Sequence, residues 1–173
     1  MRDPLANPQP LIRSVYAYAA FRLGPGADAE DVTGNVFERA VRYRGSFDPG
    51  RGTPISWLIG IARHCVDDTL RRSPSAPLHD QLAGADDLAA DAVQRLGLEA
   101  ALARLEPRER ELLGLRFVVG LSAKEVAAAL ELTPGAVDVA VHRARGRLGA
   151  ELTRGAEGGR ASGPSPRAAA SRV

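Results

Sequence analysis

Arg143, Arg145 and Arg147 stand within five residues of one another near the C-terminal end of the chain. A guanidinium is charged at every accessible pH and offers a planar fork of donors matched to phosphate oxygens, so such a cluster suits a polyanion. The segment before it is laid out as two helices. Ser122 with Glu125 forms a capping box in front of an apolar run. Thr133 and Pro134 then begin a second helix after a turn of about three residues, the helix-turn-helix interval. In that second helix Val137, Val141, Ala144 and Leu148 form one apolar stripe, which leaves Gly135, Asp138, Val139, His142, Arg143 and Arg145 toward the other side. One face packs and the other is free to enter a major groove. An ordinary helical hairpin with a solvated arginine face is the competing reading, and the two caps at this spacing favour the DNA reader.

Enzyme chemistry finds no residues to carry it. There is no Gly-rich phosphate loop and no nucleophile motif, and His64, His79 and His142 lie too far apart to build a metal site with Cys65, the only cysteine. No cofactor, metal or disulfide framework is implied. The N-terminal MRDPLANPQPLIR lacks the apolar core of a signal peptide, and no stretch approaches the roughly 18 apolar residues of a membrane helix, so the expectation is a soluble, cytoplasmic protein without membrane insertion. The net charge of +2 decides nothing about partners, but 22 of the 23 basic residues are arginine. That bias suits phosphate and base contacts; a GC-rich genome accounts for it equally well.

The helices that position these groups are readable from apolar spacing. Ile12, Tyr16, Ala19 and Leu23 mark a first helix, closed by Gly24-Pro25-Gly26. Asp28 and Asp31 resemble a capping arrangement for a second, along which Val32, Val36, Ala40 and Tyr43 recur. After a loop at 45–52, Thr53 and Pro54 start a third with Ile55, Ile59, Ala62, Val66 and Leu70 on its buried face. Residues 73–95 begin with Ser and Pro and turn acidic at Asp80, Asp86, Asp87 and Asp91, a linker by composition. Helical segments then run from Leu98 to Leu105, Pro107 to about Val119, Ala123 to Leu130 and Pro134 to about Leu152, and a Gly, Ala, Ser and Arg tail over 153–173 reads as disordered. The predicted fold is all-α: two small helical domains, 1–72 and 96–152, joined by a flexible acidic linker.

Two blocks of sequence resemble the extracytoplasmic-function (group IV) sigma factors of the sigma-70 family. LEPRERELLGLRF from Leu105 to Phe117, then Gly120-Leu121-Ser122 and the run from His142 to Arg145, is similar to their region 4; Asp28-Ala29-Glu30-Asp31-Val32 with Phe37, and Phe47-Asp48-Pro49 through Trp57 to Arg63, are similar to region 2. The resemblance implies a non-enzymatic factor that binds core RNA polymerase through its beta-prime clamp and beta flap, directs promoter recognition and melting, and is held by an anti-sigma factor. It places Asp28, Glu30, Asp31, Asn35, Phe37 and Arg39 on polymerase. Phe47, Trp57, Arg63, His64, Asp67, Arg71 and Arg72 fall to the minus-ten element, where melting needs surfaces for unstacked bases and cations along the strand. Ser122, Lys124, Thr133, Pro134, Gly135, Asp138, Val139, His142, Arg143, Arg145 and Arg147 fall to the minus-thirty-five element.

The chain departs from the family pattern in three places. Gly34 replaces a common glutamine in the clamp-binding helix and weakens that helix by about 1 kcal/mol relative to alanine. His64 stands where asparagine is frequent. Asp138, Val139 and Ala140 replace basic and small polar residues, so base readout leans on a carboxylate, which accepts from cytosine, and on contacts to thymine methyl groups. Cys65 reads as a small buried hydrophobe. A stand-alone helix-turn-helix regulator binding as a dimer is the alternative, and it leaves residues 28–63 unexplained.

Overall fold

The computed structural model describes residues 3–72 and 89–161; the acidic residues Asp80, Asp86 and Asp87, His79 and the last twelve residues of the chain lie outside them. The N-terminal block holds α1 (Pro8–Leu23), α2 (Ala27–Arg42) and α3 (Pro54–Arg72), and the C-terminal block holds α4 (Ala89–Ala103), α5 (Pro107–Leu113), α6 (Ala123–Leu130) and α7 (Pro134–Ala161). There is no strand among the described residues, and none of these helices is long and apolar enough to cross a membrane.

The chain reverses between α1 and α2 at Gly24 and Gly26, whose φ values of +89° and +127° belong to glycine. The two helices and α3 then bury Val15, Tyr18, Ala19, Val32, Val36, Leu58, Ile59 and Val66 against one another. The inward arc of α1 is rotated from the expected stripe: Ile12 is 36% exposed, while Val15 and Tyr18 are fully buried, because α1 faces the C-terminal block as well as α2 and α3. In α2 the expected Asp28 cap is absent. Gly26 holds the cap position without a side-chain bond, and Asp28 lies inside the first turn, where its charge meets the helix dipole. Tyr43 falls just past the end of α2 and is exposed. Thr53 does begin α3, its hydroxyl accepting from the Ser56 amide at 3.4 Å and its carbonyl from the Trp57 amide at 3.1 Å.

Three boundaries in the C-terminal half differ from expectation. Helix α4 starts at Ala89, inside the stretch read as linker, where Ala89, Ala90 and Ala92 carry high helix propensity. The segment after Pro107 is helical as expected, but it widens to a π turn over Gly114–Val118. Helix α7 continues nine residues past Leu152 to Ala161, through the first part of the expected disordered tail. Extending a formed helix needs no new nucleus, and the Arg154–Glu151 ion pair (2.7 Å) and the Thr153 hydroxyl bonded to the Gly149 carbonyl (3.0 Å) support the extension despite its glycines.

The two blocks are packed together. Leu112, Leu115, Leu121, Val126, Val137 and Val141 share one apolar cluster with the buried residues of α1, α2 and α3, while Leu105, Leu113 and Ala144 form a smaller cluster of their own. The contact is close enough to require a missing side chain: a Cβ on Gly114 would fall inside the van der Waals surface of the Phe21 ring from α1. The capping box of α6 takes part as well. The Ser122 amide and hydroxyl donate to Glu125 Oε2 at 2.8 and 2.7 Å, and the Thr53 hydroxyl of the other block donates to Glu125 Oε1 at 2.9 Å.

Gly114→Ala is expected to destabilise the protein by about 1–3 kcal/mol through overpacking against Phe21, whereas Gly34→Ala, at an exposed helical position with open space around it, stabilises it by about 1 kcal/mol; urea unfolding midpoints check both. Burial alone would push the Glu125 carboxyl up, but the bonds from Ser122 and Thr53 outweigh it and hold the group below its ordinary value. A carboxyl lowered on folding contributes stability at neutral pH that is lost as pH falls through the carboxylate range. Glu125→Gln therefore narrows the gap in urea midpoint between neutral and acidic buffer, and wild-type and variant curves that stay parallel would contradict this assignment.

Candidate nucleic-acid and polymerase interfaces

Helix α7 carries its candidate residues in an ordered arc. The Thr133 hydroxyl accepts from the Ala136 amide at 3.3 Å and its carbonyl from Val137 at 3.1 Å, which sets the helix start three residues after α6 ends. Glu131 takes the left-handed conformation (φ 56°) that turns the chain there. With Val137, Val141 and Ala144 buried, Gly135, Asp138, Val139, His142 and Arg143 face outward, and Val139 is 51% exposed, large for an apolar side chain without a role in packing. At about 100° per residue, Arg145 and Arg147 fall on opposite rims of this arc. Arg145 lies over the exposed Phe117 ring at 5.8 Å and Arg147 pairs with Glu109 at 3.0 Å. Lys124 is exposed on α6, and Ser122 is engaged as its cap. The arrangement offers a polar and apolar central strip between two guanidinium rims, the layout that reads base edges while holding phosphates on either side.

On α2 the candidates split. Asp28, Asp31, Asn35 and Arg39 are exposed within an arc of about 80°, whereas Glu30 and Phe37 lie round the other flank. Phe37 is half-buried against the core, and Arg39 leans toward Asp68 at 3.9 Å. The first flank thus presents two carboxylates, an amide and a guanidinium to a partner.

The remaining candidates gather on and before α3. Phe47 and Trp57 meet in a tilted ring contact, 5.6 Å between centroids at 56°, and Trp57 also packs on the core. His64 is exposed. Arg71 pairs with Asp68 at 3.2 Å and Arg72 bonds the Asp68 carbonyl at 3.1 Å, each at the solvent-facing end of the helix. Arg63 is turned toward the other block: Nε donates to Glu111 Oε1 at 2.8 Å and Nη1 to the Ala129 carbonyl at 3.0 Å.

Sequence reasoning assigned no role to Tyr18, Arg22 or Glu111, yet these complete the network around Arg63. Glu111 is 9% exposed. Its Oε1 also accepts from the Tyr18 hydroxyl at 2.9 Å and from Arg22 Nη1 at 3.1 Å, and Arg22 reaches Asp67 at 3.2 Å through its other nitrogen. Burial holds the Tyr18 phenol protonated well above its ordinary range, so it acts as a donor. Glu111 looks like one of four charges in a solvated run, and the only hint of burial is its position four residues before Leu115, an apolar residue one turn further along. Cys65 is buried, which raises its thiol, in keeping with a packing role.

Comparison with known proteins accounts for this plan. The family model Sigma-70 region 2 matches residues 9–74, and Sigma-70, region 4 matches residues 95–148. The chain is 36% identical to the ECF RNA polymerase sigma factor SigD of Mycobacterium tuberculosis across 88% of this chain and 76% of that protein. It is 31% identical to the ECF RNA polymerase sigma factor BldN of Streptomyces coelicolor, across 76% of this chain and 53% of that one. Its structure is similar to CnrH, solved in complex with the cytosolic domain of CnrY, with a TM-score of 0.59 at 28% identity over 84% of this chain and 82% of the other. It shares the fold of RpoE from Bartonella quintana, solved with the anti-sigma factor NepR, with a TM-score of 0.62 at 24% identity over 83% and 92% of the two chains. Two matched regions in order, on relatives of this identity and span, set the protein apart from stand-alone regulators and enzymes: it belongs to the extracytoplasmic-function RNA polymerase sigma factors.

Proposed function

We propose that this sigma factor divides promoter recognition between its two blocks, residues 1–72 taking core polymerase and the minus-ten element and residues 96–152 the minus-thirty-five element. The observation that carries the division is the exposed arc of α7, a strip bounded by Arg145 and Arg147 on a helix whose capped start follows the end of the capped α6 by a three-residue turn. Asp138, Val139 and His142 read base edges there, and Arg143, Arg145 and Arg147 hold phosphates. On the other block, the flank of α2 formed by Asp28, Asp31, Asn35 and Arg39 meets the polymerase clamp, while Phe47 and Trp57 receive unstacked bases beside Arg63, His64, Arg71 and Arg72. The work takes place in the cytoplasm, and an anti-sigma factor, the partner expected of this family, withholds the chain until a signal arrives.

The division is tested by run-off transcription with core RNA polymerase and fragments of the chain's own genome. Wild-type protein is expected to give promoter-specific transcripts, and Asp28→Arg/Asp31→Arg to lose them at least about tenfold, the scale of losing about 1.4 kcal/mol of docking energy. Tight duplex binding without polymerase, and no transcripts with it, would contradict the assignment.

A further inference from the structure

We propose that the free chain closes its own minus-ten surface, with α6 laid over α3 and the Glu111 carboxylate standing on Arg63 where a DNA phosphate would stand. This deepens the reading above and rests on it. Two of the three guanidinium nitrogens of Arg63 are engaged by the C-terminal block, Nε by Glu111 and Nη1 by the Ala129 carbonyl near the end of α6. At the start of α3 the Thr53 hydroxyl is bonded to Glu125 of α6. Between these two ties runs a groove of about 560 Å³ with Phe47, Arg51 and Trp57 on one wall and Ala127, Ala128 and Leu132 of the C-terminal block on the other. The groove leaves Phe47 and Trp57 reachable, but a strand that continues from them to pair with Arg63 Nε and Nη1 has to displace Glu111 and the end of α6. The exposed flank of α2 and the outer arc of α7 carry no such cover. Closure withholds the single-strand surface alone, so docking on polymerase and reading of duplex DNA precede opening. Glu111 works as an internal phosphate mimic, and the closed state persists until a stronger set of anions or a partner surface replaces it.

The geometry supplies a lock for the test. A Cβ on Gly52 would lie 3.6 Å from Ala128 Cβ, within the roughly 3.5–4.5 Å of a disulfide; the Ser56 hydroxyl, 2.6 Å from the new Cβ, turns away about its own χ1. The oxidised Gly52→Cys/Ala128→Cys protein, its cross-link confirmed on a non-reducing gel, is added with core polymerase to a run-off template. Locked protein is expected to give at least about tenfold fewer transcripts than the same protein after dithiothreitol, as the competent fraction falls, with wild type indifferent to reductant. Equal transcription from locked and reduced forms overturns the closure. Absence of transcripts from wild type itself would instead sink the sigma assignment. A second arm needs neither polymerase nor the cross-link: free Glu111→Gln protein, with unchanged helix content by circular dichroism, is titrated against a fluorescent single-stranded oligonucleotide of minus-ten length. Binding several-fold tighter than wild type at the same salt is expected; equal or weaker binding overturns the proposal.

Discussion

A carboxylate taken out of water has to be met by donors and by charge, and Glu111 is met by Tyr18, Arg22 and Arg63 on a single oxygen. Arg22 is balanced in turn by Asp67, so two guanidinium groups and two carboxylates leave the network neutral. Replacing a buried ion pair by apolar groups often costs little, but deleting one member strands the others and costs about 3–5 kcal/mol. The network ties α1, α3 and α5 at one point, and the rest of the contact between blocks is arranged around it. Phe21 can lie on the bare backbone at Gly114 because α1 and α5 are held there, and Thr53 can reach Glu125 because α3 and α6 are held side by side.

Blocks of about 60 residues bury a smaller share of their surface than larger domains and are marginal alone. In this chain each block gains apolar partners from the other, with Leu112, Leu115, Val126 and Val137 continuing the core formed by Tyr18, Leu58 and Ile59. The surfaces left exposed are the ones whose chemistry needs a partner. Val139 on α7 and the carboxylates along α2 stay in solvent, while Arg63 on α3 is turned inward onto Glu111. On the proposed assignment of Arg63 to the minus-ten strand, stability and availability for DNA are opposed at this residue.

What could be read from the sequence follows from how local its cause is. The starts of α3, α6 and α7 were legible because Thr53, Ser122 with Glu125, and Thr133 act within a few residues. The stripe along α7 was legible because helical period and burial coincide from Val137 to Ala144. The inward rotation of α1 toward Val15 and Tyr18 was not, since its cause is a second block more than eighty residues away. Glu111 was hidden for the same reason: its one local sign, the place four residues before Leu115, is outweighed by the run of charges from Arg108 to Arg110 before it. The helical residues after Leu152 were missed because glycine-rich composition argues for coil, whereas continuation of an existing helix argues against it. On α2 the helical period puts Glu30 and Phe37 on a different flank from Asp28 and Asp31, and only Phe37 is set apart by burial as well, its ring lying against the core.

Scanning calorimetry bears most directly on the central claim, that the two blocks fold as one unit around Glu111. A shared core held by that network gives a single transition whose calorimetric enthalpy equals its van 't Hoff enthalpy, and Glu111→Ala lowers or splits it as a whole. Two separate transitions in the wild-type protein, unchanged by Glu111→Ala, would show that the blocks fold independently and contradict the account.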